Sequence, residues 1–339
     1  MALAAIFDCE GPRLNDEERA FFRDVDPWGF IVFARHCESV DELRAHCEEL
    51  RECVGRENAP ILIDQEGGRV ARMKPPAFPA HPAPAAFGEL YRLDPGKARK
   101  ASRLNGYLLG RIVSDCGVNV NCIPMLDVPQ PDADQNVIGD RAYAKHQDII
   151  VELARAAADG LIEGGALPVI KHMPGHGRAL CDSHHDLPNV CVGADALSDI
   201  DYAPFKAMND IAMGMTAHVV YEALDAERPA TLSPIVINDI IRGEIGFGGL
   251  LMTDDLKMNA LSGDIESRVR DSLSAGCDIA LCCNFSMDDK KAALKGASAM
   301  TDVAEKRAAR ALVGLKNIDR TDTADAYEKL RGLLKPVIA

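Results

Sequence analysis

Leu167-Pro168-Val169-Ile170-Lys171-His172-Met173-Pro174-Gly175-His176-Gly177 opens as a short apolar run and ends in a lysine and two histidines. The apolar part shows no polar alternation, which is the pattern of a parallel strand covered on both faces. Proline and glycine then prevent a long helix, and Asp182-Ser183-His184 adds a carboxylate and another imidazole a few residues later. The same order, apolar run and then polar groups, recurs along the chain. Candidate strands are Leu3–Asp8, Gly29–Ala34, Pro60–Asp64, Val118–Pro124, Leu167–Lys171, Ala212–His218, Gly249–Asp254 and Asp278–Cys283. Polar residues gather where they end: Asp64, Asp127, Lys171 with His172, His218, and Asp254 with Asp255.

Helical patterns lie between the runs, at Ser39–Val54, Lys97–Cys116, Gln147–Glu163, Tyr202–Asp210, Ser233–Gly243, Ser267–Ala275 and Asp288–Leu312. Eight strands alternating with helices and no linker predict an α/β fold, a single-domain (β/α)8 TIM barrel over residues 1–339. A helix at about 321–334 is expected to pack outside it, and the alanine-rich Glu305 to Leu315 stretch to be an outer barrel helix. A doubly wound sheet would need a glycine-rich phosphate turn after an early strand. Glu66-Gly67-Gly68-Arg69 does not match that fingerprint. Pro75–Pro84 reads as a long barrel loop. In a barrel all C-terminal strand ends share one mouth, so the polar residues above converge; antiparallel strands would scatter them.

Composition narrows the partners. A net charge of -14 opposes a nucleic-acid or anionic-membrane surface as the main partner. The eleven cysteines are odd in number, form no CxxC pair and sit partly in apolar runs, so they read as reduced, buried residues. The opening residues lack a basic n-region, so no signal peptide is expected, and no apolar run approaches membrane-spanning length. The expectation is a cytoplasmic protein.

Leu250-Leu251-Met252-Thr253 runs into Asp254-Asp255. A carboxylate there can cap a helix, pair structurally or act as a nucleophile. Two adjacent aspartates admit a division, one into the mouth and one capping the next segment, with Asp254 the better nucleophile candidate. His172, His176, His184, His185 and Asp182 raise metal binding, yet Pro174 and Gly175 deny the first two a shared helical face. Asp182 with His184 can instead form an orienting pair, the carboxylate fixing a tautomer so that the imidazole gives and takes a proton near neutral pH.

Taken in order, Lys-His-x-Pro-Gly-His-Gly, Asp-Ser-His and Thr-Asp-Asp-Leu closely resemble the family 3 glycoside hydrolases, and within them the bacterial β-N-acetylhexosaminidases of cell-wall recycling. Ile63-Asp64-Gln65-Glu66-Gly67-Gly68-Arg69-Val70-Ala71-Arg72, Asn136-Val137-Ile138-Gly139-Asp140-Arg141, Met215-Thr216-Ala217-His218 and Pro229-Ala230-Thr231-Leu232-Ser233 extend the likeness over most of the chain. The resemblance implies that Asp254 is the nucleophile, His184 the general acid/base and Asp182 its partner on the same mobile loop. It implies that Asp64, Arg72, Arg141, Lys171 and His172 hold a terminal N-acetylglucosamine. Departures are His36, where relatives often carry Asn, His185 directly after the acid/base, and Met173 at a position often aromatic.

Most retaining glycosidases use two carboxylates; this site would use one with a histidine, which is neutral after giving its proton. The expected activity is an exo-acting, retaining β-N-acetylglucosaminidase releasing N-acetylglucosamine from N-acetylglucosaminyl-anhydromuramyl peptides. No cofactor or metal is implied, no nucleic-acid or membrane partner is expected, and the protein is read as a monomer. The alternatives are a phosphorylase on the same site, a metal-dependent barrel hydrolase, and a sugar-binding protein without turnover. Glu66 as support for the Gly67-Gly68 turn, Arg69 as a surface partner, and Asp127 and His218 as plain barrel residues receive no catalytic role.

Overall fold

The structure is a computed structural model that describes residues 1–134, 136–181, 183, 186–315 and 322–338. Its strands are β1 (Leu3–Phe7), β2 (Pro27–Val32), β3 (Ile61–Ile63), β4 (Val120–Asn121), β5 (Leu167–Pro168), β6 (Ile170–Met173), β7 (Asn189–Val190), β8 (Met213–Thr216), β9 (Val220–Tyr221), β10 (Leu250–Asp255) and β11 (Ile279–Cys282). Nine of them form one parallel sheet in the order β5-β4-β3-β2-β1-β11-β10-β8-β6. The two ends of that list are halves of one strand, separated by Val169 alone. Val169 N–H donates to Ile123 O (2.9 Å), and Lys171 forms a parallel bridge to Met125, so the sheet closes into an eight-position barrel. This is the (β/α)8 architecture that the sequence predicts. β7 and β9 pair separately, beyond the strand ends.

Alternation within the barrel strands explains why both faces are apolar. Ala4, Ile6, Leu62, Val120, Met213, Met215, Leu250, Met252, Ile279 and Leu281 share the interior cluster, while Ala5, Phe7, Ile61 and Ile63 belong to a cluster under the helices. The helices are α1 (Asp16–Val25), α2 (Val40–Val54), α3 (Ala85–Leu93), α4 (Pro95–Asp115), α5 (Gln147–Glu163), α6 (Ala194–Ala196), α7 (Ala203–Ala207), α8 (Ile265–Ala275), α9 (Met287–Gly296), α10 (Asp302–Leu312) and α11 (Ala324–Leu334). Two π-helical stretches, Leu197–Asp201 and Val236–Glu244, and short 3-10 turns accompany them. Among the described residues, no helix is long and apolar enough to cross a membrane.

The single helix expected over Asp288–Leu312 is two, α9 and α10. Gly296 ends the first: a Cβ there would lie 2.1 Å from Glu266 O, and Thr301 caps the second by accepting from Ala304 N–H. α10 is an outer helix with one exposed face, and its buried face covers the end of the barrel. Met300, Ala304, Ala308 and Ala311 join the interior cluster, with Arg307 donating to Asp278 Oδ1 (2.7 Å) just before β11. Small side chains let this helix press across the N-terminal end of the barrel. α11 packs on α4 and α3, with Leu330 and Leu334 buried; Thr321, the expected start, lies outside the described residues.

Candidate active site

At the opposite, C-terminal end of the strands lies a cavity of ≈ 400 Å³, within the range of small-molecule sites. Of the expected site residues, Asp64, Arg72, Arg141, Lys171, His172 and Asp254 all line it. Asp182 and His184, together with His185, lie outside the described residues; Ser183 between them lines the cavity.

One wall is a chain of alternating charges. Arg72 Nη2 donates to Asp64 Oδ2 (3.1 Å) and Lys171 Nζ to Asp64 Oδ1 (3.0 Å). Lys171 Nζ also reaches Glu66 Oε1 (2.7 Å), whose carboxylate takes a two-pronged bond from Arg141 at 2.9 and 2.8 Å. Burial would raise the Asp64 carboxyl, but Lys171 and Arg72 hold it well below the usual carboxylate range. Burial acts likewise on Glu66, and Arg141 and Lys171 pull it down to about 2. A row of fixed acceptors and donors whose charges nearly cancel suits a neutral, polyhydroxylated ligand. Glu66 is thus part of the wall. Its place two residues after Asp64, just past the end of β3, was the available signal.

Lys171 and His172 are adjacent yet both line the cavity, where regular alternation would part them; pairing with β8 shifts register here. Asp127, buried after β4, holds this strand end in place. Its Oδ2 accepts from His172 Nδ1 (2.6 Å) and its Oδ1 from the main-chain N–H of His176 (2.6 Å). An ionised carboxylate only accepts, so the His172 proton sits on Nδ1 and Nε2 is left for a ligand. Burial would raise Asp127, and His172 brings it below its ordinary value. His176 is buried and pushed down to about 4 by burial and by His172, hence neutral at pH 7, with Nε2 3.3 Å from Ser183 Oγ.

The two aspartates ending β10 are in different electrostatic states. Burial would raise Asp254; His172 and the Asp255 N–H donated to its Oδ1 (2.8 Å) help to keep it below the ordinary value. Asp255 is pushed up to about 7, by burial first, while its Oδ1 accepts from the N–H groups of Lys257 (2.9 Å) and Cys283 (3.2 Å). An ionised carboxylate facing the cavity thus stands beside one that ties down the next turn. Below them His218 Nε2 lies 2.9 Å from Asp255 O and Nδ1 2.7 Å from Thr231 Oγ1. A carbonyl cannot donate, so Nε2 carries the proton; burial lowers the His218 pKa, and the neutral ring braces the Asp255 main chain. Sequence reading left Asp127 and His218 without a role; their positions at strand ends were the only hint.

The binding loop after β3 depends on close approach. Gly67 has φ +99°, and a Cβ on it would lie 2.3 Å from Pro82 O. Arg69 pairs with Asp140 at the rim (2.9 Å). Phe33 sits between the Arg35 and Arg72 guanidiniums, 5.0 and 5.3 Å from its ring centre.

Comparison with known proteins supports the barrel fold. Residues 4–313 match the family model described as the glycosyl hydrolase family 3 N terminal domain. The β-hexosaminidase of Alkalilimnicola ehrlichii is 38% identical over 81% of this chain and 79% of its own, and that of Bordetella avium 37% over 82% and 79%. Among solved structures, NagZ from Neisseria gonorrhoeae in complex with N-trifluoroacetyl-D-glucosamine superposes with a TM-score of 0.88 at 29% identity, covering 99% of this chain and 98% of that one.

Proposed function

This chain belongs to glycosyl hydrolase family 3, and on that footing we propose that it is an exo-acting, retaining β-N-acetylglucosaminidase. The broad activity, glycoside hydrolysis of the β-hexosaminidase kind, follows from relatives of that name at 38% and 37% identity. Its substrates are N-acetylglucosaminyl-anhydromuramyl peptides, met as a monomer in the cytoplasm during cell-wall recycling.

The observation that carries this reading is an ionised Asp254 facing the same cavity as the Asp64–Lys171–Glu66–Arg141 wall. Asp64 accepts from sugar hydroxyls, while Arg72, Arg141 and Lys171 donate to hydroxyl or acyl oxygens. Asp254 attacks the anomeric carbon as the glycosidic bond breaks, and the leaving oxygen takes a proton from His184, with Asp182 steadying the imidazolium. The neutral His184 then removes a proton from water, which displaces Asp254 and restores the β configuration.

Substrate choice tests the assignment. Release from 4-nitrophenyl N-acetyl-β-glucosaminide should exceed release from the corresponding glucoside at least about 100-fold in kcat/KM, because a site built to pair with the acetamido group is left with unpaired polar atoms by its absence. Equal turnover of the two would refute the reading.

A further inference from the structure

The segment between β6 and β7 is held at its start by ties to neighbouring elements. Tyr221 Oη donates to Gly175 O (2.6 Å), His176 N–H to Asp127 (2.6 Å), Gln130 N–H to Gly177 O (2.9 Å) and Asp134 N–H to Ala179 O (3.0 Å). All four grip the segment's main chain, and any sequence could satisfy them from that side. Arg178 is different. Its Nε donates to Asp201 Oδ2 at 2.7 Å, with the two side chains 13% and 1% exposed. Asp201 ends the π-helical Leu197–Asp201 turn and does not line the cavity. Gly175 packs directly on it, a Cβ there falling 2.9 Å from Asp201 Cβ. Asp201 Oδ1 is buried with no hydrogen-bond partner among the described residues, so Arg178 is the group that compensates this carboxylate.

Burying a carboxylate against one mostly buried arginine costs desolvation of both charges, and the pair fixes the geometry between the two elements in return. Asp182 and His184 follow Arg178 by four and six residues in the chain. We infer that Asp201 and Arg178 are positioning residues, an ion pair that sets the direction in which the acid/base segment leaves its anchored start. This rests on His184 being the acid/base, as proposed above. Neither residue touches substrate; both act through the main chain between Arg178 and His184. Misplacing the proton donor matters only where the leaving group needs a proton, which gives the pair a signature separate from stability.

The experiment compares kcat/KM on two N-acetyl-β-glucosaminides, one with a 2,4-dinitrophenyl and one with a methyl leaving group, for Arg178→Ala, Asp201→Asn and Arg178→Lys, with His184→Ala alongside. Arg178→Ala and Asp201→Asn should lose about tenfold on the methyl glycoside, as for loss of one charged hydrogen bond. On the dinitrophenyl glycoside they should lose less than about twofold, since no proton is needed there. Arg178→Lys, which keeps the charge, should recover most of the loss. Equal losses on both substrates, or none on either, overturn the inference. A leaving-group bias in His184→Ala without one in the other variants leaves the acid/base assignment standing and removes only the positioning role. If His184→Ala shows no bias, the acid/base assignment falls and takes the inference with it.

Discussion

Asp127 carries two duties with one carboxylate: it fixes the His172 tautomer through Oδ2 and anchors the His176 main chain through Oδ1. Asp127→Asn preserves shape but can turn an N–H toward His172 Nδ1, which reverses the tautomer or breaks the bond. Loss of a charge-assisted hydrogen bond of about 1.5–3 kcal/mol corresponds to a roughly 10- to 100-fold fall in kcat/KM. Steady-state kinetics on a chromogenic substrate checks this, and an unchanged value would mean that His172 is oriented by something else. The neighbouring pair Asp254 and Asp255 shows the same division of duties at one-residue spacing. Sequence spacing admitted two duties, but only burial and the specific N–H donors decide which carboxylate stays ionised.

Elements were legible in the sequence where one rule acted alone. All eight apolar runs became barrel strands, because continuous burial on both faces writes an uninterrupted hydrophobic signal. The fifth divides at Val169, where pairing passes from one neighbour to the other, and no residue type announces that. Helix α1 went unread although Asn15 and Glu18 form a reciprocal capping box; its charged composition masked the apolar stripe of Phe22 and its neighbours. The course of α10 was illegible because its alanines fit equally well against an outer wall or a barrel floor. In the site, Asp64, Arg72, Arg141, Lys171, His172 and Asp254 came through their motifs, while Glu66 and Asp127 emerge only once the strand ends are assembled. The loop after β3 is tightly constrained within that assembly. Gly67→Ala would place a Cβ 2.3 Å from Pro82 O at a φ of +99°. Strain of about 1–3 kcal/mol should appear as a lower urea midpoint, together with a raised KM as Asp64 and Glu66 shift. A fully wild-type KM would show that the wall tolerates movement of this loop.

For the whole molecule, acid stability follows from buried imidazoles. Burial pushes His36 down to about 3 and His46 and His176 down to about 4. His46 is 1% exposed, stacks on His36 with ring centres 4.8 Å apart, and has no hydrogen-bond partner for either nitrogen among the described residues. These rings stay neutral in the folded protein while the unfolded chain binds protons below its ordinary value near 6.5. Through these rings the unfolded state holds more protons between about pH 6.5 and 4, so their contribution to stability, complete above that window, falls as pH falls through it, while Asp255, pushed up to about 7, acts in the opposite sense. Each ring adds up to about 1.4 kcal/mol per pH unit to the slope. His46→Phe should flatten the fall in urea-unfolding free energy by about one such contribution; an unaltered slope would contradict the neutral assignment.

The proposed chemistry turns on Asp254 forming a covalent bond to the sugar, which intact-protein mass spectrometry can detect. Acid-quenching during turnover of the dinitrophenyl N-acetyl-β-glucosaminide by His184→Ala protein, in which the second displacement lacks its base, should reveal one added N-acetylglucosaminyl unit. Peptide mapping should place that unit on Asp254, and the Asp254→Ala, His184→Ala double variant should show no adduct and no turnover. An adduct on another residue, or undiminished hydrolysis by Asp254→Ala protein, would contradict that chemistry.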